Sequence, residues 1–290
     1  MSVSALLTSR KFLTPADIIG STFREARLSW KSTVIIFFVP AFIASFSYYV
    51  ESWPTSHPTT SAIELLLISV GLVLLLMSRF VMRSKQFALL MHWAKQSSDI
   101  SSAIREAQQN KWLVFKVVWP ALVLDATLML GVHYLVRVLR ETHNAGLEAF
   151  VLLGSAIVLE LPYATINLLN LLFMVIYVKE KTSVGTTCKR FFQLMLNNPT
   201  YVASFFLLYV FISMLLDLTS LLVFSIPSFC EYIPMIGKDN ILVHIVESIL
   251  MGIANGFLNA ANTFACAALY EQMTMRSEAS DLIEQISDAQ

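Results

Sequence analysis

Four carboxylic acids, Asp125, Glu160, Asp217 and Glu247, fall inside long apolar runs of this 290-residue chain. An ionised carboxylate in hydrocarbon costs at least about 2.5–3.5 kcal/mol on insertion scales, so each must face other helices, be protonated or line a wet cavity. Acids so placed can relay protons or hold cations, and no Lys or Arg is expected at their depth. Glu247, Asn255, Asn259 and Asn262, spaced by 8, 4 and 3 residues, form one helical stripe, and His244 stands three residues before it. Glu160, Asn167 and Asn170, spaced by 7 and 3, form a second stripe beside Tyr163. With Asp125 and Asp217 these residues are the candidate intramembrane polar site, lining a cavity shared between two helices. The competing reading is that the amides and acids bond across helices as packing glue, at about 0.6 kcal/mol each. Gly252 and Gly256, extended by Ala260, favour glue, because this spacing lets another backbone approach closely.

Other chemistry finds little support. His57, His92, His133, His143 and His244 show no paired metal-ligand spacing, and no GxSxG elbow, phosphate-binding loop or dinucleotide fingerprint occurs. Cys188, Cys230 and Cys266 are far apart and make no CxxC pair. No catalytic residue, metal or cofactor is expected.

The elements that must carry the polar residues follow from composition and periodicity. The chain is 56% hydrophobic and 14% charged, against roughly 25% charged residues in a soluble domain. Mean hydropathy is +0.66, so lipid is the expected solvent for most of the surface. A helix needs about 20 apolar residues to cross the hydrocarbon core. Six stretches qualify: 32–50, 62–82, 112–139, 147–178, 200–224 and 241–269. The fourth is long, and Pro162 near its middle predicts a kink. The fold class is therefore all-α, a polytopic bundle in a single domain over 1–290, with 270–290 as a cytoplasmic tail. Met1–Phe12 lacks the apolar core of a signal peptide, so the first span is expected to stay in the mature protein.

Seventeen of the twenty Lys and Arg residues fall on one side of these spans. They occupy the N-terminal segment, the first inner loop from Arg79 to Lys116 with Arg83 among them, the segment from Lys179 to Arg190, and Arg276. Only Arg137, Arg140 and Lys238 face the other side. Cationic loops resist translocation, which predicts cytoplasmic termini. Net charge is zero and gives no reason to expect a nucleic-acid partner.

Each odd-numbered span follows a segment that reads as a short amphipathic helix in the membrane interface. Residues 12–31 hold the first, with Thr14-Pro15-Ala16-Asp17 as its start and Ile18, Ile19, Phe23 and Ala26 on one face. The second is capped by Ser98 or Asp99, and the third starts at Thr182 or Ser183. Arg-Glu-Ala recurs at 24–26 and 105–107, with Trp30 and Trp112 opening the following spans, which predicts three hairpin repeats. Candidate lipid-head-group contacts are Arg24, Arg27, Lys31, Arg105, Lys111, Lys189 and Arg190.

Two regions resemble a known group. One runs from Ile176-Tyr177-Val178-Lys179-Glu180 through Val184-Gly185 and the Lys189-Arg190-Phe191 helix to Asn197-Asn198-Pro199. The other is Tyr270 followed by Met275-Arg276-Ser277-Glu278 and Asp281-Leu282. Over residues 12–286 the chain resembles the polytopic membrane domain attached to some bacterial glycerophosphodiester phosphodiesterases, and its stand-alone relatives. Glu271-Gln272-Met273-Thr274 lacks the further arginine that often follows the tyrosine. The resemblance implies a bacterial inner-membrane protein and no catalytic residue, since activity in such fusions belongs to a separate soluble barrel.

The expected function is thus a non-enzymatic multi-pass inner-membrane protein, an envelope or lipid-homeostasis scaffold or partner platform. Membrane lipids are its expected partners, beside another membrane protein or a second copy of the chain. The alternative is a small-molecule or proton-coupled transporter using Asp125 and Glu160. Three two-span units differ from the inverted repeats common in secondary transporters. An enzyme would require Glu160, Glu247 and His244 to converge.

Overall fold

The computed structural model describes residues 12–28, 30–56, 61–95 and 100–109, positions 112, 115, 116, 119, 123, 127 and 131, and residues 165–224 and 241–288. Among them every regular element is a helix. These are α1 (Pro15–Leu28), α2 (Trp30–Ser56), α3 (Ser61–Lys95), α4 (Ile100–Gln109), α5 (165–180), α6 (Val184–Asn197), α7 (Pro199–Phe224) and α8 (Ile241–Asp288). Leu66–Ala94 within α3 and Leu242–Ala279 within α8 are long and apolar enough to cross a membrane. The pair α6 and α7, bent by 94°, adds a third candidate if taken as one broken span. On α3, Leu66, Val70, Val73, Met77 and Val81 are all exposed. Their three- and four-residue spacing makes one apolar stripe, the pattern of a surface that meets lipid.

The stretches 32–50, 62–82, 200–224 and 241–269 each lie within one helix. Of 112–139 only seven positions are described, all helical, and 147–178 is described from 165 onward. Pro162 and its predicted kink lie outside the described residues.

Two boundaries differ from the reading of the sequence. Helix α3 does not stop at 82 but runs on to Lys95, and Arg83, expected in a cytoplasmic loop, is buried within it at 4% exposure. The reason is visible after the charged turn, where Phe87, Ala88, Leu89, Leu90 and Met91 are all buried and hold the helix in the core. Likewise α8 continues to Asp288, so most of the expected tail is helix. At 1.5 Å per residue α8 is about 72 Å long and α3 about 52 Å, well beyond a hydrocarbon core of about 30 Å.

Those extensions give the short helices something to pack on. Helix α1 buries Ile18, Ile19, Thr22 and Ala26 against α8 and α7, and α4 lies on α3 with Ala107 buried. Helix α6 buries Thr187 and Leu194. Their inner faces are thus covered by protein. Thr14 starts α1 as expected: its hydroxyl and backbone N–H donate to the Asp17 carboxylate at 2.6 and 3.1 Å. These bonds hold the Asp17 carboxyl below its ordinary pKa of 3.8. Their contribution is present above the unfolded value and is lost as pH falls through the lower folded one.

Between α5 and α6 the chain turns in three residues. Lys181 takes the left-handed conformation, φ 51°, and its N–H donates to the Tyr177 carbonyl at 3.1 Å. Ser183 then caps α6, accepting from Thr186 N at 3.3 Å. A side chain at a left-handed position costs roughly 1–2 kcal/mol, which glycine avoids. Lys181→Gly is therefore expected to raise stability by about 1 kcal/mol, read as a higher midpoint in detergent-solubilised thermal unfolding. A lower midpoint would show that the Lys181 side chain matters more than its backbone.

Candidate functional site

Helices α3, α5 and α8 meet through a layer of polar side chains. Arg83 donates to Gln86 Oε1 at 3.1 Å and to Asn167 Oδ1. Gln86, fully buried, donates through Nε2 to Asn259 Oδ1 at 3.0 Å. Asn259 in turn donates to the Asn255 carbonyl at 2.7 Å, and Thr263 donates to the Asn259 carbonyl at 2.7 Å. The donors therefore run one way, from the guanidinium of α3 to the backbone of α8. Asn170, one turn beyond Asn167, keeps its Nδ2 buried without a hydrogen-bond partner among the described residues. Cys266 Sγ lies 4.0 Å from the Leu168 carbonyl on the same side.

About three turns further along each helix stands a second polar layer. Lys179 of α5 pairs with Glu271 of α8 at 2.9 Å and lies over the Trp93 ring of α3, 4.3 Å from its centroid. Glu180 accepts from Arg190 Nε and from the Tyr270 hydroxyl, each at 3.1 Å. Because both layers occur in the same order on α3, α5 and α8, these three helices run parallel. Apolar side chains fill the space between, including Phe87, Leu90, Leu171, Leu172, Val175 and Leu269.

The second layer extends to the segment just before α1. Leu13 N donates to Gln272 Oε1 at 2.9 Å, and the Leu13 carbonyl accepts from the Tyr201 hydroxyl at 2.9 Å and from Arg276 at 3.3 Å. The Arg276 guanidinium lies over the rings of Tyr201 and Phe12, 4.2 and 5.2 Å from their centroids. At the corner between α6 and α7, Asn197 bonds Ser277 and Asn198 bonds the Met273 carbonyl. The two motif regions quoted from the sequence, around 176–199 and 270–282, are thus in contact with each other.

Of the ten candidate intramembrane residues, Asn167, Asn255 and Asn259 come together and Asn170 adjoins them. His244 and Glu247 pair separately, Nδ1 to Oε2 at 3.2 Å, with Glu247 buried. Eight residues along α8, about 12 Å, separate Glu247 from Asn255. Asn262 is half-buried on α8. Asp125 and Glu160 lie outside the described residues, as does the side chain of Asp217 on α7. Among the basic candidates Arg24, Arg27, Lys31, Arg105 and Lys189 are exposed, whereas Arg190 is half-buried against Glu180 and Gln193. Lys111 lies outside the described residues.

The sequence reading missed Arg83 and Gln86, and with them the link between the two stripes. Their signal was the apolar run resuming at Phe87, which marks a continuing helix rather than a loop. Arg83 thus brings a basic residue to the amides, reaching Asn167 and, through Gln86, Asn259. Near neutral pH the amide, hydroxyl and guanidinium members of this network keep one protonation state, so they suit holding helices together. Among the described residues no three His, Cys, Asp or Glu side chains gather as a metal site.

The Glu180 contacts make a measurable prediction. Arg190 and Glu180 keep 27% and 22% of their side-chain surface exposed, so solvent weakens their attraction. A double-mutant cycle on Glu180→Gln and Arg190→Gln should return a coupling of about 0.5–1 kcal/mol. A coupling of zero would assign Glu180 to Tyr270 alone.

Helices of membrane-crossing length, amides turned inward and large apolar side chains turned outward define an all-helical membrane protein. Compared with family models, with curated proteins and with solved structures, the chain matches none.

Proposed function

We propose that this chain is a non-enzymatic, multi-pass inner-membrane scaffold that holds anionic lipid, or a membrane partner, at the cytoplasmic leaflet. In this reading both termini are cytoplasmic and six spans form three units, each a short helix followed by a hairpin. The observation that carries it is the docking of α1 and α6 on α8 and of α4 on α3, with Arg24, Arg27, Lys31, Arg105 and Lys189 left exposed. Helix directions support the topology: α2 passes α8 with Phe38 near Gly256 and Phe42 near Gly252, hence antiparallel, while α3 and α5 run with α8. Two amides of the stripes, Asn167 and Asn259, accept from Arg83 and Gln86, which supports packing over transport. The resemblance to the membrane domain of lipid-head-group phosphodiesterases supports a role in envelope or lipid homeostasis.

The test is lipid-dependent stability of the full chain. Purified protein should gain more in unfolding temperature from phosphatidylglycerol than from phosphatidylcholine. Each basic residue near an anionic surface contributes about 1 kcal/mol of attraction. Changing Arg24, Arg27, Lys31, Arg105 and Lys189 together to Gln should abolish the difference. Equal stabilisation of the unaltered protein by both lipids would overturn the lipid-contact reading.

A transporter is the second reading, and the observation favouring it is the buried Nδ2 of Asn170, which has no hydrogen-bond partner among the described residues, one turn from the Asn167 that accepts from Arg83. Asp125→Asn and Glu160→Gln variants that leave every uptake phenotype unchanged would remove it.

A further inference from the structure

Helix α6 has two apolar sides. Thr187 and Leu194 are buried against protein, and Phe191 and Met195 pack beside the same core. On the other side Val184, Cys188, Phe192 and Leu196 recur every four residues and are all exposed, Phe192 at 60% and Leu196 at 76%. The sequence of α6 contains no Asp or Glu, and Lys189 stands exposed beside the stripe. Beyond the corner at Asn198 and Pro199, α7 also exposes large apolar side chains, Leu207 and Phe211. Since α7 leaves that corner at 94° to α6, a membrane crossed by α7 would have α6 lying in its plane.

The other two short helices are built differently. In α1 the exposed positions include Asp17, Gly20, Arg24 and Arg27, and the isoleucines are inside. In α4 the exposed positions include Arg105, Gln108 and Gln109. Among the described residues neither helix exposes a large apolar side chain.

We infer that α6 alone of the three is sunk in an anionic phospholipid leaflet, with Val184, Cys188, Phe192 and Leu196 in the acyl boundary and Lys189 among the phosphates. This rests on the proposed cytoplasmic-leaflet topology and adds to it a division of labour: α1 and α4 stay above the lipid. An amphipathic helix of this kind buries its apolar face about 5–10 Å into the headgroup and acyl boundary. The end of α6 is tied to α8 through Asn197 and the following Asn198, and Arg190 ties it to Glu180 at the end of α5, so lipid around α6 bears on the end of α8.

The experiment uses the full chain in phosphatidylglycerol-containing proteoliposomes, with Cys230 changed to Ser. Cys266 is buried, so an environment-sensitive fluorophore is directed to the exposed Cys188. Parallel samples carry the label at Gly20→Cys or Arg105→Cys, with Cys188 also changed to Ser. The expected result at 188 is blue-shifted emission, lost with lipid bearing a shallow acyl-chain nitroxide and retained with aqueous iodide. The labels at 20 and 105 should show the reverse. Iodide quenching at 188 equal to that at 20 and 105 would overturn the inference. So would protection from both quenchers, the result expected if a second copy or another protein covers the stripe. The lipid-preference test fails separately: an inserted 188 label with no anionic preference removes the lipid-contact reading, while an aqueous label with that preference intact removes only the insertion of α6.

Discussion

Replacing Arg83 with alanine is expected to cost about 3 kcal/mol of stability and to loosen α5 from α3. The guanidinium donates to Gln86 Oε1 and Asn167 Oδ1 in a place where Arg83 is 4% exposed and Gln86 fully buried. Deleting it strands two acceptors, and each buried acceptor left unpaired costs about 1–3 kcal/mol. At about 2–4 °C per kcal/mol, the unfolding midpoint should fall by roughly 6–12 °C. Arg83→Lys should recover only part of this, because an ammonium is a single point where the two acceptors need a planar fork. The discriminating measurement is therefore the three-way comparison of Arg, Lys and Ala at position 83 by thermal unfolding in one detergent. Equal midpoints for all three would show that the network contributes nothing, and full recovery by Lys would show that charge alone matters.

Gly252→Leu is expected to be the most damaging single change at the contact between α2 and α8. A Cβ placed on Gly252 would stand 3.2 Å from the Phe38 ring and 3.3 Å from the Phe42 backbone nitrogen. A ring can swing aside, but the backbone of a packed helix moves only as a whole, so a four-carbon side chain must push the helices apart. Overpacking of this kind costs about 1–3 kcal/mol, and occasionally more. Gly256 supplies the control: its added Cβ would meet Phe37 at 3.5 Å, an ordinary contact, so Gly256→Ala should be tolerated. Gly20→Ala is a second control, since nothing lies within 4 Å and α1 should gain about 0.5–1 kcal/mol. Should Gly252→Leu unfold at the same temperature as the unaltered protein, the close approach of α2 is not a constraint on the fold.

The glycine pair shows what spacing alone can convey. Gly252, Gly256 and Ala260 line one face of a helix at any length, so a close neighbour was legible from the sequence, and α2 proves to be that neighbour. Arg83 shows the opposite. Charge counted by position assigned it to a loop, because a positive residue near an apolar boundary looks the same whether its helix ends or continues. Only the packing of Phe87 and Leu90 against α5 and α8 decides that it continues. The polar stripes fall between these cases. Their faces followed from helical periodicity, whereas the bridge between them depends on two long side chains from a third helix, a relation that no single-helix period encodes.

By itself the sequence determined the helical class, the apolar runs and the start of α1 at Thr14, because these depend on local composition and short-range hydrogen bonds. It also determined which residues each helix would group on one side. Tertiary structure decided that the isoleucines of α1 turn to protein while Phe192 and Leu196 of α6 stay exposed. An amphipathic pattern states that one face must leave water, but lipid and protein satisfy that demand alike. The choice between them rests on whether a neighbouring helix extends far enough to cover the face, as α8 does for α1.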